Sequence, residues 1–534
     1  VSVLSATSVL LEDTNSIQLG NVTTTGTLTV TANGSITGSA DLDVGGGTVL
    51  NATAAHDITL TGANQFAATV TIQGGDDVTL NAASGFNLDS AVVAGNLAIT
   101  ATGDITNTGA STITGTTTLD AATANITLNA ANNFGGAVGV PNANDVTLND
   151  VDAILLGGFT ITGNLAITAA GSITDSASAP TPISVGGSTS LAAGSSNDIV
   201  LDAANDFGGP VSVASGLDVT LNDTGSIDLG EMSVSGNLTV TGATGITDSG
   251  NLSVAGSAAF SSGCGSITLG DSSILSVTGP MALIAGVDAS ITPTAAIDLA
   301  ASTVGGNLSI TANGGITQSG AIAVTGTTAL AAGAANDITL TNVGNDFGGA
   351  VAISSGLNVA LADQSALVLG ASTVTGVLNA STGGAISGTG TVAADGLSLT
   401  AASGGITLDI TAANVTARAA GDISIAQTNN LAVNFTTINS TAGNISLATN
   451  GTAAGDGMMI GTLAANGGAG SVTLAGGVEF LLTNNTTYTQ SDISAATLDL
   501  SGATLLGSIA ASYQPPYGQT YDIIDTAAAT TPFA

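Results

Sequence analysis

Apolar and small polar residues alternate along most of the chain in runs of four to six, as in Leu97-Ala98-Ile99-Thr100. A period of two places one set of side chains on a buried face and the other on an exposed one, which predicts short β-strands. Gly, Asn and Asp break the runs and supply the turns. The alternation is itself repeated. Gly95–Thr106 reads GNLAITATGDIT, and related stretches begin at Gly26, Gly163, Gly236, Gly306 and, more divergent, Gly376. Within each copy a leucine stands two positions after the glycine (Leu28, Leu97, Leu165, Leu238, Leu308, Leu378). An isoleucine stands ten positions after it (Ile36, Ile105, Ile173, Ile246, Ile316, Ile386). A steady spacing of about 70 residues with fixed apolar offsets is the mark of stacked structural repeats.

Each period divides into three sub-units. The GNLxIT pattern is followed by an Asn/Asp-Ile core (Asp57-Ile58, Asn125-Ile126, Asp198-Ile199, Asp337-Ile338) that usually ends in Asn-x-Phe-Gly-Gly. An Asp-Val-Thr-Leu core follows (Asp77–Leu80, Asp145–Leu148, Asp218–Leu221). Sub-units of about 23 residues with two or three short strands predict an all-β fold, a parallel β-helix of about three coils per super-repeat. Ile, Val and Leu are expected inside, and Thr, Ser and Asn outside. The period is regular over residues 1–375 and fades over 376–485. Residues 486–534, with all four tyrosines (Tyr488, Tyr513, Tyr517, Tyr521) and Pro515-Pro516, read as a C-terminal cap or assembly segment. Val1–Val30 aligns with Val211–Val240, three periods on, so the chain opens in mid-unit. That predicts a slice of a longer protein, or an end covered by a partner, with Val1–Leu11 as an open coil edge.

Composition narrows the function. Gly contributes 74 of 534 residues, Trp is absent and aromatics make up 3%, which suits narrow coils rather than a wide aromatic core. One basic residue, Arg418, stands against 37 acidic ones, giving a formal net charge of −36. Such a chain has nothing to neutralise phosphates, so nucleic acid is excluded as a partner. An anionic membrane surface is disfavoured for the same reason. Mean hydropathy is +0.49, but no run approaches the ~18 apolar residues a spanning helix needs, so no direct membrane insertion is expected. Self-repulsion of this charge predicts sensitivity to salt and divalent cations. Cys264, the only cysteine, excludes a disulfide framework within the chain. No export signal is legible at the N-terminus.

The tandem motifs GNLxITAxGxIT, AANDITL and NDFGG resemble the repeats of filamentous-haemagglutinin-like secreted proteins and large bacterial adhesins, over roughly Val1–Asn450. Gly518–Asp525 is similar to the closing strands of autotransporter passenger domains. The resemblance implies a right-handed β-helix, exported across a Gram-negative outer membrane to the cell surface or medium, acting in adhesion, aggregation or biofilm. It implies no enzyme. A self-assembling extracellular filament, sheath or S-layer-like matrix subunit, stacking head to tail, is the alternative. Self-association is expected in either case, with the receptor unspecified.

The chemistry-bearing residues are sparse. Parallel β-helices also carry polysaccharide-cleaving sites, but Arg418 sits in a degenerate stretch and reads as a solvated side chain. His56 has no second histidine to work with. Asp41/Asp43, Asp76/Asp77 and Asp150/Asp152 are paired carboxylates. Glycosidase work would need them across a cleft, where aromatic stacking faces are wanting, so capping of turns by Asp is expected. No cofactor is predicted. Ca²⁺ is the one ion these oxygen-only ligands would suit, with those six aspartates as candidates. Phe66, Phe134, Phe207 and Phe347 recur at one position and read as core filling rather than a ligand platform.

Overall fold

The computed structural model describes residues 1–175, 182–451, 456–482, 492–494 and 497–509. Tyr488, the other tyrosines and the Gly518–Asp525 motif lie outside the described residues. The chain forms two compact units, Val1–Gly279 and Pro280–Ala534. Each is a parallel β-solenoid, and together they comprise about 23 turns. Among the described residues the only helical element is a single 3₁₀ turn, Asn466–Gly468.

The strand register defines the turn. Ile17, Ile36, Ile58, Val78, Leu97, Thr117 and Val138 lie one upon another in successive parallel pairings, so that each marks one turn beyond the last. Between Leu97 and Thr117 the chain makes three strands, Leu97–Ala101, Ile105–Asn107 and Ser111–Ile113. Each turn thus visits three faces in a fixed order. Alternation does what the sequence predicts: Leu97, Ile99 and Ala101 are 1–2% exposed, while Ala98 and Thr100 point outward. Burying each Leu, Ile or Val contributes about 1.5–3 kcal/mol before conformational entropy is subtracted. Stacking at about 4.8 Å satisfies the backbone between turns.

A repeat does not close on a whole number of turns. Leu28 stacks with Val9, Thr48 and Val70. Its equivalent Leu97 stacks on the next face, and Leu165, with Ile105, Ile126 and Val146, on the face after that. Leu238 belongs to the stack of Ile154, Ile173, Ile199 and Val219, which follows Leu165's and returns to the face of Leu28. Each repeat therefore takes three turns and one face more. Only after three periods, as between Leu28 and Leu238, do equivalent positions share a face as well as a place in the repeat.

Two departures from the inside–outside expectation recur. Thr48, Thr117, Thr189 and Thr328 occupy equivalent inward positions, 0–1% exposed, and their hydroxyls have no hydrogen-bond partner among the described residues. Asn64, Asn132, Asn205 and Asn345, the asparagines two positions before the recurrent phenylalanines, are wholly buried. Asn132 replaces missing strand contacts: its Oδ1 accepts from Ser111 N at 3.1 Å and its Nδ2 donates to Leu128 O at 3.1 Å. A buried amide is tolerated because both its ends are bonded.

Candidate functional site

The polar residues gather at the corner where a strand begins. Asp57 Oδ1 accepts from the backbone N of Asp77 (3.3 Å), one turn on. Asp77 Oδ1 in turn accepts from both the backbone N and the Nδ2 of Asn96 (2.8 and 2.9 Å), and Asn96 Oδ1 from the N and Oγ1 of Thr116 (2.8 and 2.7 Å). The same relay runs through Asp145, Asn164 and Ser188, through Asp218, Asn237 and Ser257, and in the second unit through Asp288, Asn307 and Thr327. Each carboxylate or amide oxygen caps a backbone N–H of the next turn, the same service an N-cap residue gives a helix. Corner glycines make the approach possible. A Cβ on Gly115 would lie 2.5 Å from Gly95 O, and one on Gly136 2.5 Å from Gly115 O. Because each repeat advances one face, successive relays occupy different corners.

The six candidate cation ligands fall into this scheme. Asp41 is exposed and its Oδ1 accepts from Ala63 N at 2.8 Å, while Asp43 is exposed on the outer face of Leu42–Val44. Asp76 donates its backbone N–H to His56 O beside the relay of Asp77. Asp150 is 2% exposed; its Oδ1 accepts from Asp152 N (2.9 Å) and its Oδ2 from Phe134 N (3.1 Å). Asp152 Oδ2 takes Asn133 Nδ2 at 3.1 Å. Both oxygens of Asp150 thus face N–H donors, an arrangement that serves a carboxyl group better than a metal ion. Among the described residues no three His, Cys, Asp or Glu side chains converge as a metal site would require.

Burial moves three carboxyls. Desolvation raises Asp150 to about 6, opposed by the N–H groups of Asp152 and Phe134. Asp223, with Phe207 N and Gly225 N, and Asp248, with Ser273 and Gly270 N, are raised for the same primary reason. Sequence reasoning placed Asp150 among turn caps but missed Asp223 and Asp248. The available signal was their place in the repeat: Asp223 and Asp363 are equivalents of Asp150, and each accepts the N–H of the neighbouring turn's phenylalanine.

The remaining residues are placed simply. Phe66, Phe134, Phe207 and Phe347 are 1–4% exposed and fill the core as expected. Phe66 meets Phe86 edge-on, centroids 5.8 Å apart, beneath a shallow open depression that Asp104 and Thr106 also line. Arg418 projects from the outer face of Ile406–Ala419, and His56 is half-buried at a turn. Cys264 is exposed, its Sγ 3.3 Å from Ala243 O.

The fold and its corner relays define a β-solenoid repeat protein. The chain belongs to the family described as Repeats of unknown function (DUF5649), which matches six times, at residues 6–73, 75–140, 143–214, 216–280, 286–354 and 356–418. Each match contains one copy of the glycine-led motif, and together they span most of the chain. No curated protein and no solved structure matches it.

Proposed function

We propose that the chain is a non-enzymatic structural segment of a secreted bacterial surface protein, an adhesin or fibre acting in attachment, aggregation or biofilm. The observation that supports this reading is how the polar side chains are used. The aspartates and asparagines of the corners are committed to holding one turn on the next. A chain organised this way repeats a scaffold rather than building a catalytic cleft, and small polar residues on every face suit prolonged exposure to water. The motif resemblance to haemagglutinin-like proteins adds weight, and with it export from a Gram-negative cell.

The test is attachment. Beads coated with the full chain should adhere to cells or to biofilm matrix above beads coated with an unrelated protein of equal acidity, and antibodies should reach the protein on intact cells. Beads that adhere no better, with the protein retained inside the cell, would refute the reading. Ordered filaments of purified protein without bead adhesion would favour the matrix-subunit alternative.

A further inference from the structure

Two carboxyl groups of residues 216–280 sit in the solenoid wall with no counter-charge. Asp223 is 2% and Asp248 7% exposed. Asp223 Oδ2 accepts from Phe207 N (2.8 Å) and Oδ1 from Gly225 N (2.5 Å). Both oxygens of Asp248 face Gly270 N (3.1 and 3.0 Å), and Oδ2 also accepts from Ser273 Oγ (2.6 Å). The charged groups on the elements packed around them are all acidic: Asp202 and Asp206 beside Asp223, and Asp228, Glu231 and Asp271 beside Asp248. Asp228 Oδ1 is itself buried without a partner. Residues 199–273 contain no Lys, Arg or His. Taking a carboxylate out of water without a cation is costly, and at these two positions the loss of hydration outweighs what the N–H and O–H donors return. The cheapest remedy within reach is a proton.

We propose that Asp223 and Asp248 are proton-binding sites of the folded solenoid, through which mild acidification tightens these turns. The proton adds to a carboxylate oxygen and no other bond changes. The neutral group keeps acceptor lone pairs for the neighbouring N–H groups and sheds its repulsion with Asp206 and Asp271. The sign follows from linkage. Burial raises both groups above their ordinary value, so between the unfolded and folded values the native chain holds protons that the unfolded chain does not. Their contribution is complete below the unfolded value and is lost as pH rises through the folded one.

The repeats supply conservative variants. The position of Asp223 is Ala82 in another repeat, and that of Asp248 is Asn107. Urea unfolding of the full chain from pH 7.5 to 4.5 compares wild type, D223A/D248N and the exposed control D202N. The wild-type midpoint should rise on acidification, D202N should follow it, and the double variant should lose part of that slope. Equal slopes in wild type and double variant overturn the proposal. So does an equal loss in D202N, which would assign the effect to long-range charge. Infrared spectra of wild type and D223A/D248N at mildly acid pH, where free carboxyls are ionised, read the protons themselves. A protonated-carboxyl band that vanishes on unfolding is expected, reduced but not abolished in the double variant because Asp150 also contributes, and a band of equal size in the two proteins overturns the proposal.

Discussion

Residues 75–140 and residues 392–449 build the same kind of turn with corners that agree only in part. In the first stretch Leu97–Ala101 and Ile105–Asn107 meet at glycines and at the Asp77–Asn96–Thr116 relay, while Phe86–Val93 and Ile126–Phe134 run on through a bend. In the second, Val392–Ala401 and Ile406–Ala419 run as long strands through the bends, and Ile406–Ala419 contains no glycine at all. There a buried glutamine, Gln427, bonds Ala412 through Oε1 and Nε2 in the way buried asparagines serve the earlier repeats. The interiors agree: Ile105, Ile126, Ile406, Ile410 and Val415 are all 0% exposed. What the two stretches share is inward alternation, parallel register and one relay: Asp422 Oδ1 accepts from Asn444 N (2.7 Å), and Asn444 Oδ1 from the N and Oγ of Ser471 (both 2.9 Å). What they do not share is the steady spacing of the glycine-led motif, and the fold outlasts that spacing.

Four sets of substitutions should sharpen this contrast, taken in descending size. Ile105→Asp and Ile406→Asp each place a carboxylate in the apolar stack, and both should cost about 4 kcal/mol or more by urea unfolding. The outward neighbour Thr106→Asp should be nearly silent. Unequal losses at the two isoleucines would mean that the interiors are not equivalent. Gly115→Ala drives a Cβ toward Gly95 O and should cost about 2 kcal/mol. In the glycine-free bend, Ala413→Gly should cost no more than about 1 kcal/mol, through chain entropy alone.

Asn96→Ala removes two acceptor contacts to Thr116 and one donor contact to Asp77 at an exposed corner, and about 1 kcal/mol should be lost. Hydrogen exchange should then quicken at the amides of Asn96 and Thr116 while Ile406–Ala419 is unchanged. Thr117→Val replaces an unpartnered buried hydroxyl with a methyl group of similar volume. It should stabilise the chain by about 1 kcal/mol, and a loss of stability would show that the hydroxyl has a partner.

The strands, the inward Leu and Ile positions and the core role of the phenylalanines were legible in the sequence because alternation is a local signal. The corner relay was not. Asp77 reads as a cap for its own turn, but it caps Asn96, and that pairing exists only once a full turn of the solenoid has closed. Thr117 was misplaced for a different reason. It stands two positions before buried Leu119, so alternation points it inward, where it stacks between Leu97 and Val138, but the rule that threonine lies outside hid that signal. Expecting about three coils per repeat was sound, but the extra face is a property of register and appears only through the pairings of Leu28, Leu97 and Leu165.

The central claim is that each turn rests on the turn next to it in the chain and not on its equivalent in the next repeat. Paired cysteines in a Cys264→Ser background test it directly. Thr79 and Ala98 are register partners with outward side chains on adjacent strands, a separation of about 5 Å that a disulfide can bridge. Thr29 and Ala98 hold the same place in successive repeats but lie on different faces. Under mild oxidation the Thr79→Cys/Ala98→Cys protein should form an intramolecular disulfide, and the Thr29→Cys/Ala98→Cys protein should keep two free thiols. The opposite result, with repeats cross-linking equivalent to equivalent, would contradict the account.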